Sequence, residues 1–138
     1  MNSVEFIVSA VPVAQPRQRH AMIAGHLRNY TPTTHPVNAF KAACQLACPT
    51  SEPFQGPVYL DLLFVLPRPQ SMIWKRKPMP RVPHWKKPDT ENLVKSTQDS
   101  LSGKLFRDDS QVAHLVAHKV ISAGNEQPHV VIKCGEMG

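Results

Sequence analysis

An α+β fold, with one small mixed β-sheet and helices packed on it in the order β-α-β-α-β-β, is what the sequence predicts. Three observations carry this. Apolar residues alternate with polar ones near both ends of the chain, a nearly unbroken apolar run lies in the middle, and two segments between them have helical spacing. The 138 residues suffice for a single domain over 1–138 with one core.

Taken in order, residues 4–11 set Val4, Phe6 and Val8 on one side of a first strand, and Pro12 and Pro16 end it. From Pro12 to Pro36 there are four prolines among polar and basic residues, Arg17, Arg19, His20, His26 and Arg28, which reads as a long surface loop or arm. Val37, Phe40, Ala43, Cys44 and Ala47 then recur at helical spacing until Pro49. Val58 to Leu66 is almost continuously apolar, the pattern of a strand covered on both faces in the middle of a sheet.

From Pro67 to Pro88 the composition changes. Six prolines, Trp74, Trp85 and seven cations (Arg68, Lys75, Arg76, Lys77, Arg81, Lys86, Lys87) occur without one acid. Such a stretch does not pack as core. Thr90 to Ser102 is helical by the spacing of Leu93, Thr97 and Leu101, with Gly103 as its stop. Val112 to Ile121 alternates Val112, His114, Val116, His118 and Val120 against Ala113, Leu115, Ala117, Lys119 and Ile121, so it is a strand. The turn chemistry of residues 124–128, GNEQP, predicts a hairpin to a last strand, His129 to Cys134.

Composition excludes several classes. A hydrophobic fraction of 41%, a charged fraction of 19% and 6 Gly rule out a coiled coil, a collagen-like rod and a disordered chain. Cys44, Cys48 and Cys134 form no disulfide framework and no paired zinc spacing, and no apolar run approaches a membrane span. A soluble, cytoplasmic protein without a membrane partner is expected. The net charge of +6 points to a polyanionic partner.

Half of the ten acids, Asp89, Glu91, Asp99, Asp108 and Asp109, fall within 21 residues. Carboxylates beside cations suit Mg²⁺-assisted phosphodiester hydrolysis, because hard divalent ions take oxygen ligands and bridge protein to phosphate. Structural roles are open to them as well, and charge clusters of this kind are more often solvated faces. Asp89 stands at a helix N-cap and Glu91 in its first turn; Glu91, Lys95 and Asp99 have the spacing of exposed ion pairs; Asp108 and Asp109 suit an Asx turn.

The string KPDTENLVKSTQDSLSGKLFRDDSQVAHL, from Lys87 to Leu115, goes further. Pro88, Asp89, Asn92, Lys95, Asp99, Leu101, Asp108, Asp109, Gln111 and Val112 match at fixed spacing a pattern of the RusA family of Holliday junction resolvases, and the chain resembles its prophage-type members. VPVAQPRQR, from Val11 to Arg19, is similar to the Pro- and Arg-containing segment after the family's first strand.

The resemblance implies an α+β nuclease, a crossover junction endodeoxyribonuclease of DNA recombination and repair. It implies Mg²⁺ on Asp89, Glu91 and Asp109, with Asp108 as a neighbour able to join, and Lys95 assisting at the scissile phosphate. It further implies a homodimer making paired symmetric nicks in four-way junction DNA. Glu91 departs from the Asp of the family pattern and moves the carboxylate by a methylene. Phosphate contacts are expected from Arg17, Arg19, Lys75, Arg76, Lys77, Lys86 and Lys87, and base stacking or sheet cover from Trp74 and Trp85. A non-catalytic module binding branched DNA or single strands, with Glu91 marking a decayed site, is the alternative.

Overall fold

The structure is a computed structural model; it describes residues 2–16, 19–23, 26–30, 35–50 and 52–138, with the backbone alone of 19–23 and 26–30. Among the described residues the strands are β1 (Ser3–Val8), β2 (Arg19–Ile23), β3 (His26–Tyr30), β4 (Val58–Leu66), β5 (Val82–Pro83), β6 (Val112–Ile121) and β7 (His129–Glu136). The helices are α1 (Val37–Ala47) and α2 (Thr90–Leu101). β1, β7, β4, β6 and β5 form, in that spatial order, one mixed sheet in which β4 and β6 are parallel and the other pairs antiparallel.

The α+β class and the two helices agree with the sequence, while three local expectations are corrected. β6 and β7 are not a hairpin: β7 crosses to the far side of β4 and pairs with β1 and β4. The most apolar strand takes the position where both edges are paired. The segment between Pro12 and Pro36 contains the β2–β3 hairpin, because its prolines flank residues 19–30 and none interrupts them. β5 is a two-residue edge strand inside the Pro-rich segment, where Pro83 is tolerated at the margin of the sheet.

β4 is fully covered on one face, where Val58, Leu60, Leu62, Phe64 and Leu66 are buried, and only partly on the other, where Val65 is buried but Tyr59, Asp61 and Leu63 are half-buried. Against the covered face lie Phe40 and Cys44 of α1, Leu93 and Leu101 of α2, and Leu105 and Phe106 beyond it. Each such side chain stabilises by about 1.5–3 kcal/mol when fully buried. Small hydroxyl residues let α2 sink in: the buried Thr97 donates to Leu93 O at 2.8 Å and Ser100 to Thr97 O at 2.6 Å, so no polar group is left unpaired there. Burial pushes the Cys44 thiol up to about 11 and the Cys134 thiol to about 12, which makes both inert members of the core.

α2 ends where the sequence placed its stop. Gly103 has φ +86° and its N–H donates to Phe106 O at 2.7 Å, folding the chain back so that Leu105 and Phe106 enter the core. An L side chain in this left-handed conformation costs about 1–2 kcal/mol. Gly103→Ala is expected to lower stability by about that amount, read as a reduced urea midpoint with an unchanged slope.

Candidate active site and nucleic-acid interface

The start of α2 is fixed from below by a lysine. Lys119 shares its register on β6 with the buried Phe64 and so rises on the covered face. Its ammonium donates to Lys86 O at 2.5 Å and Pro88 O at 2.6 Å, on either side of the cis Lys87–Pro88 bond. That clamp holds Lys87 outward and sets Asp89 at the N-cap of α2. Asp89 has extended backbone, φ −67° and ψ 139°, yet its side chain makes no capping hydrogen bond. Its carboxylate is therefore exposed and unspent. Glu91 follows in the first turn, where the positive end of the helix dipole favours it.

The arm after β1 is docked beside these acids. Gln15 N–H donates to Asn92 O at 2.9 Å, and the Ser96 hydroxyl donates to Val13 O at 2.6 Å. Neither spacing-based ion pair of α2 forms among the described residues. Asp99 instead faces Lys41 of α1 at 3.9 Å, and Lys95 is exposed.

Asp108 and Asp109 sit at the other end of the crossover from β4 to β6. Asp108 caps the 3-10 turn Asp109–Gln111, accepting from Ser110 N at 2.9 Å, and the Ser110 hydroxyl together with this backbone contact holds its carboxyl below the usual range. The Asx-type role is thus filled by Asp108, while Asp109 is exposed on the turn. Gln111 fastens the turn. Its Oε1 accepts from Arg107 N and Asp108 N at 2.6 and 3.0 Å, and its Nε2 donates to Phe54 O and Gly56 O at 2.9 and 2.8 Å.

Within one chain, Asp109 does not meet Asp89 and Glu91. β6 pairs parallel to β4, so α2 runs back between them: its start is clamped near Lys119, while Asp109 leads into Val112, paired with Val58 at the opposite end. Twelve helical residues, or the seven strand steps from Val112 to Lys119, put these points on the order of 20 Å apart. Among the described residues no three Asp, Glu, His or Cys side chains stand together as metal ligands. The expectation that one helix–strand unit gathers all three acids is corrected accordingly.

The basic segment divides into inward and outward cations. Arg68 donates to Met72 O, Pro80 O and Ser122 O, and Arg81 forms an ion pair with Glu126, so these two hold the segment against the β6–β7 connection. Gly124 N–H donates to Met79 O at 2.9 Å there, and a Cβ on Gly124 would collide with Met79. Lys75, Arg76, Lys77, Lys86 and Lys87 are exposed. Arg17 lies outside the described residues, and Arg19 belongs to β2 with its side chain outside them. Trp74 is covered by Arg68 at 4.7 Å and Lys77 at 4.1 Å from its ring centre, whereas Trp85 is 82% exposed.

Sequence reasoning missed Lys119 and gave Gln111 no role. The signal for Lys119 was a lone cation on the apolar face of an alternating strand. For Gln111 it was a full set of amide partners, visible only in three dimensions.

Two outcomes are expected. Replacing Gln111 by Leu leaves the Arg107 and Asp108 amides and the Phe54 and Gly56 carbonyls without their partner. It should cost about 1–3 kcal/mol, read by urea denaturation, and loosen the Asp109 turn, read by amide exchange. The hydrogen bonds from Arg81 lower the Glu126 carboxyl from its usual 4.5 to about 2. A carboxyl with a depressed folded pKa stabilises fully above its unfolded value and loses that contribution as pH falls through the folded one. Exchange protection around residues 79–83 should therefore hold down to pH 4.5 and fall toward pH 2, and Glu126→Gln should show the loss already at pH 7.

Comparison with known proteins gives the family. The uncharacterized protein YqaN of Bacillus subtilis (strain 168) is similar, 30% identical over 147 aligned residues that take in 99% of each chain. The family model described as endodeoxyribonuclease RusA matches residues 9–134, from the end of β1 through the docked arm, both acidic ends and β7. The chain belongs to the RusA endodeoxyribonuclease family, and is a nuclease by that membership.

Proposed function

We propose that the protein is a Mg²⁺-dependent, structure-specific endodeoxyribonuclease that resolves four-way junctions by paired nicks in DNA recombination and repair. It acts as a homodimer whose sites each take Asp89, Glu91 and Lys95 from one protomer and Asp109 from the other. The observation that carries the reading is the state of the acids: the Asp89 carboxylate is left unspent at a helix start built to hold it, beside exposed Glu91. The wide separation of Asp109 within one chain supports the second copy.

The donor set fits the ion. Asp89, Glu91 and Asp109 offer only hard carboxylate oxygens, the class that Mg²⁺ takes. Bound there, Mg²⁺ would supply Lewis-acid stabilisation of the phosphoryl oxygens and a water of lowered pKa. The chain's own groups do the rest. Lys95, one turn beyond Glu91, presents an ammonium to the extra negative charge of the transition state. Lys75, Arg76, Lys77, Lys86 and Lys87 hold the flanking phosphates, and Lys119 keeps Asp89 in place through the Pro88 carbonyl. Asp108, engaged with Ser110, orients the Asp109 turn rather than binding the ion.

The test is cleavage of a synthetic mobile four-way junction with Mg²⁺, against Ca²⁺ or chelator. Asp89→Asn and Asp109→Asn should each lose cleavage by about two orders of magnitude or more while junction binding persists. Mixed after subunit exchange, the two inactive variants should regain about a quarter of wild-type nicking, as single nicks, because half of the dimers then hold one intact site of two. Sites built within one chain would regain none. Binding without any cutting under Mg²⁺ would instead favour the non-catalytic module.

A further inference from the structure

An apolar groove beside the basic segment lies at the same end of the sheet as Asp89. It encloses about 800 Å³, and its walls include Met72, Val82, His84, Trp85, Lys86 and Ile121. One wall is an indole left 82% exposed, with the Lys86 ammonium 5.3 Å from its ring centre. The other tryptophan of the segment is already occupied by Arg68 and Lys77, so only Trp85 offers an open aromatic face there. The rim is cationic: residues 67–88 contain no acid, and Glu126, which approaches from the β6–β7 connection, is neutralised by Arg81.

We infer that this groove binds an unpaired nucleobase, stacked on Trp85, of a DNA strand whose phosphates lie along Lys86, Lys87 and the cations of residues 75–77. The idea deepens the nuclease reading by giving it a single-stranded binding step. A flat apolar slot with an aromatic wall accepts any base, because every base has a π face, and the cationic rim supplies attraction to the backbone. The groove volume falls in the range of small-ligand sites. His84 lines one wall, and burial and then the charge of Lys119 hold its imidazole below the usual range. Four residues separate Trp85 from Asp89, at most about 14 Å of chain. The stacked base therefore lies within about four nucleotide steps of the phosphate at Asp89, at 3.4 Å per step.

The experiment uses the full chain in chelator, so that nothing is cut, and a 12-nucleotide oligothymidylate carrying one 2-aminopurine. Stacking should quench the probe on binding. Trp85→Ala should abolish the quench and weaken binding about tenfold, Trp85→Phe should retain most of both, and affinity for linear duplex should stay unchanged in all three proteins. Equal binding and quenching by Trp85→Ala overturns the inference. So does a Trp85 environment that changes with protein concentration and not with DNA, since the groove would then be a protein contact. A chain that quenches the probe through Trp85 but never cuts a junction would overturn the nuclease mechanism alone. Normal cutting without a Trp85-dependent quench would overturn the groove alone.

Discussion

Parallel pairing between β4 and β6 is the constraint from which the rest of the molecule follows. Two parallel strands cannot be joined by a tight turn, so the chain after Leu66 must return the length of the sheet before β6 begins. α2 makes that return across the covered face, and the connections at its two ends become the candidate functional segments. The cationic segment with Trp85 and Asp89 is at one end, and the Asp109 turn at the other. With the acids so divided, each end can be built from local contacts without the repulsion of three carboxylates crowded into one place.

Both ends are held by side chains that serve backbone groups. Lys119 spends its ammonium on two carbonyls, which offsets the cost of turning a cation toward the helices. Gln111 uses its whole amide on four backbone groups from two separate loops. Neither residue need touch substrate. Each converts a flexible connection into a fixed platform, which positions nearby carboxylates more firmly than α2 alone could, since its N-cap side chain makes no bond to the helix.

The sequence made the elements with strong periodicity legible, and with them the α+β class. Val4, Phe6 and Val8, the helical spacing in α1, and Leu93 to Leu101 in α2 all point to the covered face as read. What periodicity could not give was the partner of each strand. The turn chemistry of residues 124–128 is the same whether the chain returns beside β6 or crosses β4, and the crossing wins because it pairs both edges of the most apolar strand. The apolar run of β4 suggested two covered faces, yet Asp61 at its middle marked the less covered one, which closes fully only at Val65. The acids of the candidate site stood out by spacing and by family pattern, but their separation did not, since an offset of 18 positions from Glu91 to Asp109 is silent on whether the chain turns back or runs on.

A site divided between chains would change what each protomer must tolerate. Two like charges 4 Å apart repel by about 4 kcal/mol at an effective dielectric of 20, and three would approach the stability of a whole domain. Held at opposite ends of a crossover, Asp89 and Asp109 add no such repulsion to a single chain. Brought together only at a junction of two chains, they would need a divalent cation to offset their repulsion. Binding of that cation would then strengthen association of the chains, because a ligand that favours the assembled state stabilises it by mass action. Cutting competence would therefore be tied to assembly on the substrate, a safeguard suited to a basic protein whose exposed lysines would also attract ordinary duplex.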